Sequence, residues 1–204
     1  MILRTLLENQ LSQNRSLQAE HGLSFLVETE DKKILFDCSA GKAARQNAKR
    51  MNVSLKDVDY VVLSHSHYDH AGGYPDMVSH GICAPLITGP HFFEEKYARD
   101  GGKYVYLGCG FGRDFLEKKQ IEHRICEESI TLFPGCHVVG SFQRKYAFEK
   151  APARFVRQTA AGMIEDDFPD EVCLVVESEK VLVVIVGCSH PGILNMVETV
   201  KERF

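Results

Sequence analysis

One stretch of six consecutive residues in this sequence contains four potential metal ligands. The segment 64–70 places three histidines and an aspartate in the pattern H-x-H-x-D-H. It follows the apolar run 60–63, which predicts a buried strand. His65 and His67 are two residues apart, so in extended backbone their side chains point the same way and can share one ion. The pattern therefore predicts a divalent-metal site at the end of this strand, because imidazole and carboxylate groups are common ligands for such ions.

The last two residues of this segment, Asp69 and His70, could bind a second ion beside the first. The alternative is an ordinary polar loop with no metal. That alternative is disfavoured, because protonated imidazoles would repel one another below their usual pKa of about 6.5. We therefore expect Asp69 and His70 to belong to the same metal site as His65 and His67.

A second strand end repeats this arrangement near the end of the sequence. The segments 172–176 and 180–186 are nearly continuous in Val, Leu and Ile and predict a hairpin whose strands are buried on both faces. The second strand leads into Gly-Cys-Ser-His at 187–190, so we expect His190 to be a further metal ligand. Cys188 is a possible ligand, and a buried free thiol is the alternative.

These motifs resemble the metallo-β-lactamase superfamily, in which H-x-H-x-D-H follows an apolar strand. More of the chain resembles one branch, the dihydropterin-aminobenzene-phosphate synthase-like metal-dependent hydrolases. The segments that carry this narrower resemblance are Glu20–Ser24, Ile34–Asp37, Asn47, Leu63–Gly73 and Gly187–Ile193. The resemblance implies an α/β fold, the four-layer αβ/βα sandwich with mixed sheets and outer helices. It also implies that the metal lies at one edge between the two sheets.

The resemblance also suggests a role for each ligand. His65, His67 and His190 would hold one ion, and Asp69 and His70 a second, with Asp69 also acting as a catalytic residue that orients a metal-activated hydroxide. Zinc is the expected ion, in one or two copies, and the ligand set would also accept manganese or iron. The resemblance also implies that Asp37 supports the metal site from below through hydrogen bonds, and a turn residue at the strand end is the alternative.

Other segments give weaker expectations. Residues 42–51 predict a helix, and with the flanking strands they form a βαβ unit. Residues 92–99 also predict a helix, and His91 before it is either a possible substrate-binding residue or a surface residue. Residues 141–161 are polar and basic and predict an excursion over the site, which would suit an anionic substrate.

Composition limits the class of protein. The 204 residues suit one metallo-β-lactamase-like domain over 1–204, apparently without the family's last strands. The net charge is −4 and no basic stripe is visible, so nucleic acid is not an expected partner.

No segment has the length and apolarity of a signal peptide or a membrane span. The seven cysteines include no C-x-x-C pair, which favours the cytoplasm. Nothing predicts the oligomeric state.

The sequence therefore favours a metal-dependent hydrolase that acts on a small anionic molecule, such as a phosphate ester. One alternative is a transferase that condenses a dihydropterin with a ribosyl-aminobenzene phosphate, as the branch name suggests. Another is a metal- or ligand-binding module without catalysis.

Overall fold

The computed structural model describes residues 1–179 and 181–204. The strands are β1 (Ile2–Leu7), β2 (Ser24–Glu28), β3 (Lys33–Phe36), β4 (Tyr60–Val62), β5 (Leu86–Thr88), β6 (Lys96–Asp100), β7 (Lys103–Tyr106), β8 (His123–Ile125), β9 (Ser129–Phe133), β10 (Cys136–Val139), β11 (Phe155–Thr159), β12 (Gly162–Glu165), β13 (Cys173–Ser178) and β14 (Val181–Ile185). The helices are α1 (Ala43–Arg50), α2 (Tyr68–Ala71), α3 (Tyr74–Ser79), α4 (Arg113–Lys119) and α5 (Ile193–Arg203). Among the described residues, no helix is both long and apolar enough to cross a membrane.

The first sheet has six strands in the order β1-β2-β3-β4-β5-β8. β1, β2 and β3 pair antiparallel, and β3, β4, β5 and β8 pair parallel. A parallel pair needs a crossover connection, and α1 supplies it between β3 and β4, as the βαβ prediction required. β4 therefore lies in the interior of the sheet, and two of its three residues, Val61 and Val62, are fully buried.

A second sheet, in the order β14-β13-β10-β9, packs on the first. One apolar cluster joins the facing surfaces: Val27, Ile34, Phe36, Val62 and Ile87 from the first sheet, with Cys136, Val138, Leu174, Val176 and Ile185 from the second. Helix α5 covers the other face of the second sheet through Met196 and Val200. Helices α1, α3 and α4 cover the outer face of the first sheet. The layers therefore follow the order helices, first sheet, second sheet and helix. This order confirms the predicted four-layer sandwich.

A third sheet, in the order β12-β11-β6-β7, lies outside this plan. It combines two distant segments, since β6 pairs with β11 across more than fifty residues. The predicted helix at 92–99 is therefore wrong, because residues 96–100 form β6. Burial alternates along this strand, with Lys96 and Ala98 inside, and pairing on both sides overrides the local helix propensity.

The predicted hairpin at 172–186 is present as β13 and β14, although Lys180 lies outside the described residues. β13 is buried as predicted. β14 is not buried on both faces, because it is the edge strand of its sheet. Val181 is 60% exposed, and only Ile185 at the end of the strand is buried. That buried end is the part that leads to His190.

Candidate metal centre

The loops after β4 and β14 carry the predicted ligands, and they meet at one edge of the two sheets. The main chain fixes the first loop to the second sheet, because the Val172 N–H donates to the Ser64 carbonyl at 2.8 Å. Gly187, in the second loop, packs directly on Ser64. A Cβ at position 187 would lie 2.3 Å from Ser64 Oγ, so only glycine permits this approach of the two loops.

Three imidazole rings converge where the loops meet. The ring centroids are 4.7 Å apart for His65 and His67, 4.9 Å for His65 and His190, and 5.1 Å for His67 and His190. One ring nitrogen from each histidine lies within 4.8 Å of the other two. All three Nε2 atoms are buried without a hydrogen-bond partner among the described residues. Buried polar atoms are normally paired, so three convergent unpaired nitrogens fit a divalent metal ion.

The same surroundings keep these histidines neutral. Burial lowers the pKa of His67 to about 2, with the nearby ammonium of Lys96 as the next cause. Burial also lowers the pKa of His190 to about 3 and that of His65 well below its usual value. A neutral imidazole has a free lone pair, which is the form that binds metals.

A second group of potential ligands shares His65 and adds His70 and Cys188. His70 Nε2 lies 3.1 Å from Cys188 Sγ, and His70 Nδ1 lies 2.6 Å from Asp37 Oδ2. Burial opposes protonation of His70, but the Asp37 carboxylate outweighs it and raises the His70 pKa well above its usual value. Asp37 also accepts hydrogen bonds from the Ser64 N–H at 2.7 Å and the Ser64 hydroxyl at 2.8 Å. This is the supporting position that the family resemblance implied for Asp37.

Asp69 is buried beside this second group. Its Oδ2 lies 3.5 Å from His70 Nε2 and 3.2 Å from His21 Nε2. His21 is exposed, and the sequence did not predict that it belongs to the site. The neighbouring Gly22 packs directly on the Asp69 backbone. A Cβ at position 22 would lie 2.4 Å from the Asp69 carbonyl oxygen, so a larger residue would not fit there. The only signal for His21 was its place in the segment Glu20–Ser24 that carries the resemblance.

Asp170 and Glu171, two adjacent buried acids, connect both loops. Asp170 Oδ2 accepts the Ser66 N–H at 2.9 Å, between two of the histidines. Glu171 Oε1 accepts the Ser189 N–H at 2.9 Å in the second loop. Burial, followed by the charge of Asp170, raises the pKa of Glu171 to about 8. Sequence reasoning missed these roles, because acids before a strand give no indication of which backbone groups they will bind.

An open cleft of about 430 Å³ adjoins Cys188 and His190. Its other lining residues are Phe148, Glu149, Lys150, Ala151, Pro152, Ser189, Gly192 and Ile193. The Arg154 guanidinium lies 4.9 Å from the Phe155 ring, which is 5.4 Å from the rings of both His67 and His190. The predicted basic excursion thus brings cations beside the cluster.

His91, by contrast, is exposed, and its Nδ1 lies 2.9 Å from Glu94 rather than near the cluster.

Comparison with known proteins identifies the family of this chain. The sequence profile of the metallo-β-lactamase superfamily matches residues 17–175. This chain therefore belongs to the metallo-β-lactamase superfamily, a class of metal-dependent enzymes.

Individual relatives indicate the branch. The chain is 32% identical over 205 aligned residues to 7,8-dihydropterin-6-methyl-4-(β-D-ribofuranosyl)-aminobenzene-5'-phosphate synthase of Methanocaldococcus jannaschii, covering 95% of this chain and 69% of that protein. It is 30% identical to an uncharacterized protein of the same organism, covering 90% of this chain and 68% of that protein. The crystal structure of Tm1679, a metal-dependent hydrolase of the β-lactamase superfamily, superposes with a TM-score of 0.81 at 27% identity, covering 99% of this chain and 71% of that one. These similarities confirm the branch that the sequence motifs suggested.

Proposed function

We propose that this protein is a metal-dependent hydrolase of a small anionic substrate, most simply a phosphate ester. The observation that carries the proposal is the set of three buried, unpaired Nε2 atoms on His65, His67 and His190. Their convergence beside an open cleft gives a reactive ion access to a small molecule.

The histidines would hold the first ion, and Asp69 and His70 would hold a second, with Cys188 as a further candidate ligand. Zinc fits these nitrogen, oxygen and sulfur donors, and manganese or iron would fit the nitrogen and oxygen donors. When bound, such an ion lowers the pKa of water toward neutrality and polarises a phosphoryl oxygen.

The protein's own groups orient the reaction. Asp69 Oδ2 can accept a hydrogen bond from the attacking water, and His21 Nε2 fixes the carboxylate from the solvent side at 3.2 Å. Asp37 holds the His70 ring through its Nδ1, which leaves His70 Nε2 directed toward Cys188. Such preorganised groups need no rearrangement during the reaction.

The cations beside the cluster support an anionic substrate. Neither the Arg154 guanidinium nor the Lys150 ammonium makes an ion pair among residues 1–179 and 181–204, in contrast to Arg157, which pairs with Glu94. Cations without partners beside a reactive site can bind a phosphate group.

The test is turnover by zinc- and manganese-loaded protein of a phosphate monoester, a phosphate diester and a neutral lactone. We expect the phosphate esters to be hydrolysed and Asp69→Asn to abolish turnover. Turnover of the lactone alone would contradict the proposed substrate class, and unchanged activity of Asp69→Asn would contradict the proposed role of Asp69.

A second candidate is a synthase, favoured by the 32% identity to the M. jannaschii protein. A transferase of that kind would join a dihydropterin to a ribosyl-aminobenzene phosphate. Incubation of the metal-loaded protein with both compounds, followed by mass spectrometry, separates the candidates. A joined product favours the transferase, and release of inorganic phosphate favours the hydrolase. Neither product, from protein that binds metal, would favour a non-catalytic binding module.

A further inference from the structure

Lys96 is a buried lysine that the third sheet directs at the metal centre. Its side chain is 1% exposed, although it belongs to a sheet outside the four-layer sandwich. Its Nζ lies 2.6 Å from Asp170 Oδ1 and 2.8 Å from Asp166 Oδ2, and both carboxylates are fully buried. We propose that Lys96 is a positioning residue, whose single ammonium group holds metal-binding histidines of both loops in place.

The Asp170 contact reaches the first loop. One oxygen of this carboxylate binds Lys96, and the other accepts the Ser66 N–H at 2.9 Å. Ser66 separates His65 from His67, so this hydrogen bond fixes the backbone that sets the spacing of the two imidazoles. A charged acceptor makes such a hydrogen bond about twice as strong as a neutral one.

The Asp166 contact reaches the second loop. Asp166 Oδ1 accepts the Phe168 N–H at 2.8 Å, and Phe168 has a left-handed backbone with φ of 53°. The Phe168 ring stacks on His190 with centroids 3.8 Å apart and an interplanar angle of 11°. Lys96 Nζ also lies 4.5 Å from the centre of the same ring. The ammonium group therefore acts on His190 through one aromatic ring and on His65 and His67 through one peptide group.

The charges explain why a lysine is needed. Two buried carboxylates this close to one cation would repel each other without it, and an unpaired buried charge is strongly unfavourable. A neutral side chain at 96 would leave Asp166 and Asp170 to move apart, to take up protons or to admit water. Each response would change the position of Ser66 or Phe168, and hence of the histidines.

The proposal requires only that the three histidines bind a metal. It does not depend on which substrate is hydrolysed or on whether the reaction is a transfer. The test therefore measures metal affinity and the spectrum of bound cobalt, not turnover. The proposed role of Lys96 can then fail while the proposed function stands, and the proposed function can fail while the role of Lys96 stands.

The experiment is a cobalt titration of the metal-free full chain and its Lys96→Met variant, followed through the visible bands of Co²⁺. Removal of a group that orients metal ligands typically weakens metal binding by about 10- to 100-fold. We expect a loss of affinity in this range and shifted cobalt bands for Lys96→Met. The control is Arg45→Met, which removes a half-buried ion pair to Asp76 between α1 and α3 on the outer face of the first sheet. Equal losses in both variants, or wild-type binding by Lys96→Met, would overturn the proposal.

Two further variants decide the matter if Lys96→Met does not fold. Lys96→Met/Asp170→Asn removes one charge of each sign, and Phe168→Leu keeps both ion pairs but removes the ring stacked on His190. We expect weaker cobalt binding in both, by about 2- to 10-fold for Phe168→Leu. Wild-type affinity and an unchanged cobalt spectrum in these two variants would also overturn the proposal.

Discussion

The two groups of potential ligands differ in how their donor atoms are satisfied by the protein. In the His65, His67 and His190 group, all three Nε2 atoms are buried without a partner among the described residues. In the group of His65, His70 and Cys188, the His70 Nε2 lies 3.1 Å from the cysteine sulfur, and the cysteine is exposed. The first group is complete only with an ion, whereas the second is partly satisfied without one.

This difference predicts the order of metal binding. A metal entering the first group replaces no protein contact, and it removes the unfavourable burial of three unpaired nitrogens. A second metal, held by Asp69, His70 and Cys188, must replace the contact between His70 and Cys188 and the contacts of Asp69 with His70 and His21. We therefore expect the first group to bind a metal more tightly than the second.

Loss of a ligand from the first group should have the largest effect. We expect His67→Ala to reduce metal content by about one ion per chain and turnover by more than about 100-fold, because the buried triad provides the tighter site. Elemental analysis and turnover measure the change, and circular dichroism checks the fold. His91→Ala is the matched control, since this exposed histidine contacts Glu94. Equal effects of the two variants would contradict the assignment.

Asp37→Asn should have a smaller effect and should act on the second group. The asparagine keeps the shape but removes the charge that holds His70 and Ser64. We expect binding of the second metal to weaken by about 10- to 100-fold, as is typical when a partner of a ligand histidine is lost. Calorimetric titration with zinc measures both affinities. A loss confined to the first, tighter binding step would reverse our ranking of the groups.

Gly187→Ala tests the contact between the two loops rather than a ligand. The added Cβ would lie 2.3 Å from Ser64 Oγ, so the loops must move apart. We expect the free energy of unfolding to fall by about 1–3 kcal/mol, as for other overpacked interiors. Gly41→Ala is the control, because a Cβ there meets nothing within 4 Å. Urea denaturation of both variants should show a loss only at position 187, and equal stability would refute the close approach.

Cys188→Ser should have the smallest effect on activity. Serine keeps a weak oxygen donor where the thiol was, and the first group is untouched. We expect turnover to fall by less than about tenfold, since a cysteine is a stronger zinc ligand than a serine. Turnover of the zinc-loaded variant measures this. A loss as large as that of His67→Ala would show that the thiol belongs to the tighter site.

Local patterns in the sequence predicted the strand ends and their ligands. The apolar strand before H-x-H-x-D-H and the strand before His190 are short-range signals, and both are present at the expected places. The third sheet was not predicted, because β6 and β11 pair across more than fifty residues and nothing local marks that partnership. Lys96 was missed for the same reason, and His21 was marked only by its place in the segment Glu20–Ser24. Their partners, Asp170 and Asp69, are distant in sequence, and a single lysine or histidine carries no pattern.

The most direct test of whether the first ligand group binds metal more tightly than the second is a stepwise cobalt titration. The metal-free full chain is titrated and its absorption is followed in the visible and near-ultraviolet. The first group contains only imidazoles, whereas the second includes the Cys188 thiol. Our account predicts visible cobalt bands without a thiolate-to-cobalt charge-transfer band during the first equivalent, and that band only as the second is added. A charge-transfer band that grows with the first equivalent would contradict it.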